Sequence, residues 1–259
     1  MARSHTISVA GAKGGVGKTT TSLNLAAVLS EVGPTVVVEF DLAMANSADF
    51  LSIDCTPDVD PTLHDVLADT ETVKSATYPA PGGFDIVPSG TTLDGYAETK
   101  PHRIAPVVKA LSTDYQYVLI DVGAGLSRET LLPMAVADET IVVSTPRVAS
   151  VRDAKKTIGL VDRVGGSVAG VIFVKSGTGS APNPDRIASF LEVDLLGHVP
   201  EDGAVPASQD AGKPVITHAP DSAAARGYRD AVETILQRRN RGMFEGVGEG
   251  ESHAGRGRT

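Results

Sequence analysis

Near the N-terminus, Gly11-Ala12-Lys13-Gly14-Gly15-Val16-Gly17-Lys18-Thr19-Thr20 gathers glycines, two lysines and two hydroxyls in one short run. Glycines at 14, 15 and 17 reach backbone conformations closed to other residues, so successive amide N–H groups can converge on one anion. Lys18 supplies a positive charge for the β- and γ-phosphates of a nucleotide, and the Thr19 hydroxyl can ligate Mg2+. A strand-like run precedes the loop and a helix-like run follows it, so the positive dipole end of the helix points at the same anion. The standard phosphate-loop spacing requires glycine at position 12, where Ala12 stands, and Lys13 is an extra cation ahead of the double glycine. A dinucleotide fingerprint fails, because Gly15 and Gly17 are followed by Thr20 where a third glycine is required.

Such a loop needs acids at neighbouring strand ends to hold Mg2+ and to aim a water molecule. Glu39-Phe40-Asp41 closes one apolar run, and Asp121-Val122-Gly123-Ala124-Gly125 leaves another. Asp41 and Asp121 are therefore the candidate metal-site acids, together with Thr19. Other chemistries lack their groups. The six histidines have no metal-ligand spacing, and a single cysteine, Cys55, cannot supply a metal cluster. No Gly-x-Ser-x-Gly elbow of a hydrolase triad occurs.

The elements that must position these residues are short β-branched runs separated by helical stretches. The strand candidates are 6–10, 35–40, 84–87, 117–121, 140–144, 169–174 and 195–199. Most are continuous apolar runs without alternation, as parallel strands covered on both faces require. Helices are predicted over 18–32, 101–111, 128–137, 148–164, 185–191 and 222–239. In the first of these, Leu25, Leu29 and Val32 share one face. The pattern defines an α/β fold, a doubly wound, mostly parallel sheet of about seven to eight strands with helices on both faces. Ligands are expected at the carboxyl ends of its strands. One domain is expected over residues 1–239. Residues 240–259 turn to glycine, arginine, serine and glutamate and are expected to be a disordered tail.

At this point the resemblance becomes specific. Lys13-Gly-Gly-Val-Gly-Lys-Thr-Thr20 is similar to the deviant Walker A loop of the MinD/ParA family of P-loop ATPases, and the likeness spans about residues 6–236. The resemblance implies an ATPase that uses ATP and Mg2+ and hydrolyses slowly without a partner. It also implies an ATP-bound homodimer, in which Lys13 reaches across to the ATP of the partner subunit. By the same resemblance Gly14, Gly15, Val16, Gly17, Lys18, Thr19 and Thr20 bind nucleotide, and Asp41 orients or activates the attacking water. Asn46 matches a family asparagine in the same loop. Glu39 departs from the usual aspartate, and Gly123 replaces a usual proline, which predicts a more flexible loop. Thr145-Pro-Arg-Val-Ala-Ser-Val-Arg-Asp153 resembles a MinD-type segment whose matching aspartate belongs to the face that contacts the signature lysine or a regulatory partner. Pro200, Glu201 and Asp202 match a motif that frames the adenine, with backbone contacts expected because Val174-Lys175 replaces a base-reading asparagine.

The expected role is a MinD-type switch that positions cellular machinery: a division site, a motility structure or a chemoreceptor array. The alternative is a ParA-like partition ATPase whose dimer binds DNA, and a third is an ATP-dependent metabolic ligase or kinase. A formal charge of -9 argues against broad nucleic-acid binding. No apolar stretch is long enough to span a bilayer, and residues 1–8 lack a signal-peptide core, so a cytoplasmic protein is expected. Recruitment to a membrane or pole would then run through an unidentified protein partner. The segment Arg238–Phe244 is a fragment of a basic amphipathic helix, interrupted by Gly242, Gly246 and Gly248. Weak or no direct membrane binding is expected from it.

Overall fold

The strands carry no alternation because both of their faces are covered. β1 (His5–Ala10), β2 (Thr35–Phe40) and β5 (Tyr117–Val122) are buried along their whole lengths. Successive side chains of a strand point to opposite faces, so Val36, Val38 and Phe40 enter one apolar cluster while Val37 enters another. Both layers must therefore be apolar, and the sequence reads as one hydrophobic run. The computed structural model describes residues 4–42, 50–57, 59–125, 128–177 and 182–248. Asn46 lies outside them.

Besides these three strands, the sheet contains β3 (Tyr78–Pro79), β4 (Asp85–Val87), β6 (Glu139–Ser144), β7 (Val168–Ser176) and β8 (Leu195–Pro200). The eight strands run in the order β3-β4-β2-β5-β1-β6-β7-β8. Neighbours are parallel throughout except for the short β3–β4 edge pair. After β1 the chain first builds outward through β2 and β4, returns to lay β5 against β1, and then builds β6, β7 and β8 on the other side. β1 thus sits at the topological switch point, where a ligand crevice opens beyond the carboxyl ends.

The helix Lys18–Leu29 and the C-terminal helix from Ala223 cover one face of the sheet, with Leu25, Leu29, Tyr228, Val232 and Ile235 packed on Ile7, Val9 and Leu119. Fully buried leucines such as Leu25 and Leu29 each contribute roughly 1.5–3 kcal/mol. On the other face, Leu63, Val66, Leu67, Val107, Val108 and Leu111 pack on Val36, Val38, Val118 and Ile120. A third cluster joins Ile187, Ala188 and Leu191 to Val142, Val171 and Phe173.

Several boundaries differ from the sequence reading. The first helix stops at Leu29, and Val32, expected on its buried face, is 55% exposed in the turn that leads to β2. The helix expected from residue 101 divides into a short 3-10 turn, Pro101–Arg103, and a helix, Ile104–Asp114. The C-terminal helix runs on past Arg239 to Gly248, so the part of the expected tail up to there is helical. A glycine costs about 1 kcal/mol in a helix interior, too little to end a helix already nucleated and docked over its first turns. Four short helices were invisible to periodicity: Leu63–Ala68, Leu93–Glu98, Ala204–Asp210 and Val215–His218. They are held by local bonds instead. Asp65 Oδ2 accepts from the Thr62 N–H at 2.8 Å and from its hydroxyl at 2.9 Å, closing the start of the first of them.

Candidate functional site

The loop between β1 and the Lys18–Leu29 helix needs left-handed backbone at two positions. Gly15 has φ 72° and Gly17, the residue before the helix, has φ 107°, values that side chains disfavour. Val16 between them is buried and packs with the core cluster beneath the loop, so its side chain holds the loop from below and only its backbone can face a ligand. Beyond the loop opens a cavity of about 530 Å3. Gly14, Gly15, Gly17, Lys18, Thr19, Thr20 and Asp41 line it together with Val174, Val199, Pro200, Glu201, Asp202, Val205 and Pro206. The residues predicted to meet phosphate and those predicted to meet adenine therefore line one crevice, some 180 positions apart in the chain.

Charge at the phosphate end is dense and buried. Lys18 is 7% exposed, and burial holds its ammonium below the usual lysine value, opposed by the nearby charges of Asp121 and Asp41. Asp121 is 2% exposed and its carboxyl is pushed up to about 7. Burial is the main cause; a hydrogen bond from Thr19 opposes it, Glu39 reinforces it, and Lys18 and Ser22 oppose it further. Strand pairing makes this neighbourhood unavoidable, because Glu39 of β2 lies opposite Asp121 of β5 in the parallel register. Glu39 itself is buried, and its Oε2 accepts the Ser89 N–H at 3.0 Å. Two buried carboxylates beside a threonine hydroxyl make a site with surplus negative charge and oxygen donors, which suits a hard divalent cation. Thr19 and Asp121 fit Mg2+ on that ground.

Asp41 lines the cavity at the end of β2, as the sequence suggested. Gly123 acquires a more definite role than looseness. A Cβ there would lie 3.0 Å from Asp41 Oδ1 and 3.2 Å from its Cα, so the missing side chain leaves the space that Asp41 fills. Lys13 differs from Lys18 in every respect. Its side chain is 61% exposed, it does not line the cavity, and its Nζ is 3.9 Å from Asp153 Oδ2. An exposed pair of this kind contributes about 0–1 kcal/mol, so Lys13 is free to leave it. At the far end, Asp202 spends its carboxylate on the fold. Oδ1 accepts the Ala204 N–H at 2.9 Å and Oδ2 the Ala224 N–H at 3.1 Å, which pins the starts of two helices and holds the carboxyl below its usual range.

Sequence reasoning missed four contributors. Ser22, one helical turn beyond Lys18, donates to Asp121 Oδ1 at 3.0 Å. The Gln209 amide donates to the Thr20 hydroxyl at 2.8 Å inside the cavity. Lys175, in left-handed backbone at φ 53°, reaches the Gly15 carbonyl at 3.3 Å. Tyr228 of the C-terminal helix closes the wall. The spacing of Ser22 from Lys18 was a usable signal, since residues four apart share a helix face; Gln209, Lys175 and Tyr228 arrive only through tertiary packing.

A mostly parallel sheet with a phosphate-cradling loop at the switch point, a buried lysine within it and a buried aspartate on the adjacent strand defines a P-loop nucleotide-binding protein. Comparison with known proteins sharpens this. A family model described as an AAA domain matches residues 4–168, and one described as a NUBPL iron-transfer P-loop NTPase matches residues 107–236, a stretch that contains no cysteine. An uncharacterized ATP-binding protein of Methanocaldococcus jannaschii is 35% identical over 89% of this chain and 87% of its own. The septum site-determining protein MinD of Neisseria meningitidis is 31% identical over 89% of this chain and 90% of its own. Among solved structures, the cell division ATPase MinD of Pyrococcus furiosus superposes with TM-score 0.84 at 29% identity, covering 90% of this chain and 98% of that one. The MinD of Pyrococcus horikoshii, solved with Mg-ADP, gives TM-score 0.83 at 30% identity, covering 90% and 96%. The chain belongs to the MinD/ParA family of P-loop ATPases.

Proposed function

We propose that the protein is an ATP-hydrolysing dimerisation switch of the MinD type that positions cellular machinery through a protein partner. The observation that carries this reading is the opposite placement of the two loop lysines. Lys18 is buried and lines the cavity, while Lys13 is exposed, lies outside the cavity lining and has its ammonium beside Asp153. A cation outside its own site is useful where a second subunit presents another one.

In this reading the amides of Gly14–Thr20 and the Lys18 ammonium hold the β- and γ-phosphates. Thr19 and Asp121 would hold Mg2+, which would supply positive charge beside the terminal phosphoryl group. Asp41 accepts a hydrogen bond from the attacking water and orients it toward the γ-phosphorus. Lys13 leaves Asp153 and reaches the partner subunit's ATP, where it offsets charge developing on the transferred group. The apolar end of the cavity, with the backbone of Pro200–Asp202, receives the adenine. Hydrolysis then dissolves the dimer.

The septum-site role named for the MinD relatives supports division-site positioning among the cargoes. A ParA-like DNA-binding switch is the alternative, disfavoured by the charge of -9. The switch would be cytoplasmic and reach a membrane or pole through its partner. Among the described residues no helix is long and apolar enough to cross a membrane. Direct membrane binding is expected to be weak, because Gly242, Gly246 and Gly248, with Glu245, interrupt the basic and apolar run that follows Arg238.

The test is Lys13→Ala. The variant should bind ATP as the wild type does yet elute as a monomer on size-exclusion chromatography with ATP. An ATP-dependent dimer that survives the substitution would sink the role of Lys13. An ATP-dependent shift of DNA on a gel would favour the partition reading.

A further inference from the structure

His64 lies outside the cavity, and nothing in the phosphate-loop chemistry accounts for it. It is 3% exposed, on the first turn of the Leu63–Ala68 helix. Its Nε2 lies 3.0 Å from the carbonyl oxygen of Leu42, the residue next to Asp41. A carbonyl only accepts, so Nε2 carries the hydrogen and the ring is fixed in that tautomer. Nδ1 is then a lone-pair nitrogen, and it is buried with no hydrogen-bond partner among the described residues. The ring sits in a slot that two glycines leave open: a Cβ on Gly90 would lie 2.5 Å from Nδ1, and one on Gly95 3.1 Å away.

An imidazole with an orphaned buried nitrogen is a poor core residue, because an apolar side chain would fill the slot without the desolvation cost of that nitrogen. What the histidine provides instead is one donor, delivered to the backbone beside Asp41. The platform under it is stiff. Leu63 N–H donates to the Pro88 carbonyl at 2.8 Å, Asp65 caps Thr62, and Ser89 N–H donates to Glu39 Oε2 at 3.0 Å. The exit of β4 therefore grips the end of β2 at Glu39 directly and at Leu42 through His64. A Cβ on Gly123 would lie 3.0 Å from Asp41 Oδ1, so any side chain there would press on Asp41 and the glycine leaves its carboxylate room.

We propose that His64 is a positioning residue for ATP hydrolysis: its Nε2–H, held to the Leu42 carbonyl, fixes the chain at the end of β2 so that the Asp41 carboxylate stays aimed at the attacking water. The proposal rests on the role given to Asp41 above. Fixing one carbonyl restrains the adjoining peptide plane and leaves Asp41 few backbone torsions through which to drift. Misplacement of a water-orienting group by a fraction of an ångström lowers turnover without weakening the grip on phosphates.

The test compares steady-state ATP hydrolysis by full-length His64→Leu, His64→Gln and the wild type. His64→Leu fills the slot but cannot donate, and kcat should fall about tenfold while KM for ATP stays within about twofold. The His64→Gln amide can still reach the Leu42 carbonyl and should restore most of the rate. Should the leucine variant not fold, His64→Asn, which is polar but too short to reach, replaces it against His64→Gln with the same expected split. Added to Asp41→Asn, His64→Leu should cause no further loss, since both act on one step. Unchanged kcat in His64→Leu, a parallel change in KM, or a glutamine variant as slow as the non-donating one would overturn the proposal. Asp41→Asn at the wild-type rate would instead sink the role of Asp41 itself.

Discussion

Binding of Mg2+ and ATP should weaken in mild acid, and the cause lies in a single carboxyl. Asp121 is pushed up to about 7, chiefly by burial and further by Glu39 opposite it. A raised carboxyl keeps its proton below that value, and the proton must leave before Mg2+ can be held. With a value near 7, about nine molecules in ten are ionised at pH 8 and about one in ten at pH 6. Affinity for the Mg2+–nucleotide complex should therefore fall about tenfold from pH 8 to pH 6, or about 1.4 kcal/mol. At pH 7 binding should release about half a proton. Fluorescent-nucleotide titrations across this range, with Mg2+ in excess so that the nucleotide's own phosphate stays ionised, measure the first quantity. Calorimetry in buffers of different ionisation enthalpy measures the second. Asp121→Asn should bind more weakly and lose the slope. A flat profile in the wild type, or the same slope in Asp121→Asn, would refute the assignment of Asp121 as the group that titrates on binding.

Two other outcomes follow from the geometry. Asp202→Ala removes the carboxylate that caps two helix starts and should lower stability by about 1–2 kcal/mol in urea denaturation. Because that carboxyl is held below its usual value, its contribution is complete above the unfolded value of about 4 and is lost as pH falls through the folded one, so the gap to wild type should close in acid. Asp41→Ala should bind ATP and form the dimer but fail to release it, read as a persistent dimer peak with ATP and little phosphate release; a wild-type rate would contradict the water-orienting role.

The loop was legible because its chemistry is local. Gly14, Gly15, Gly17, Lys18 and Thr19 are contiguous, and their backbone demands and charges show in the residue types themselves. The long strands were legible for a similar reason, since burial on both faces leaves an unbroken apolar run. Asp41 and Asp121 could be picked out as acids at strand ends, and the pairing of β2 with β5 then brought Glu39 and Asp121 into register. Short helices escaped because one or two turns carry too little periodicity, and their caps are single side chains such as Asp65 and Thr92.

What the sequence alone determined, then, was the class of fold and the kind of ligand, through patterns that repeat along the chain or sit within one loop. Tertiary structure decided which side chains share the crevice and which way each one points. Gln209 meets Thr20, Ser22 meets Asp121, and His64 meets Leu42 across separations that no periodicity encodes. The opposite fates of Lys13 and Lys18, one exposed beside Asp153 and one buried beside Asp121, are likewise set by how the loop folds over the strand ends. Desolvation and Coulomb interactions depend on distance in space, and only the packed chain fixes that distance.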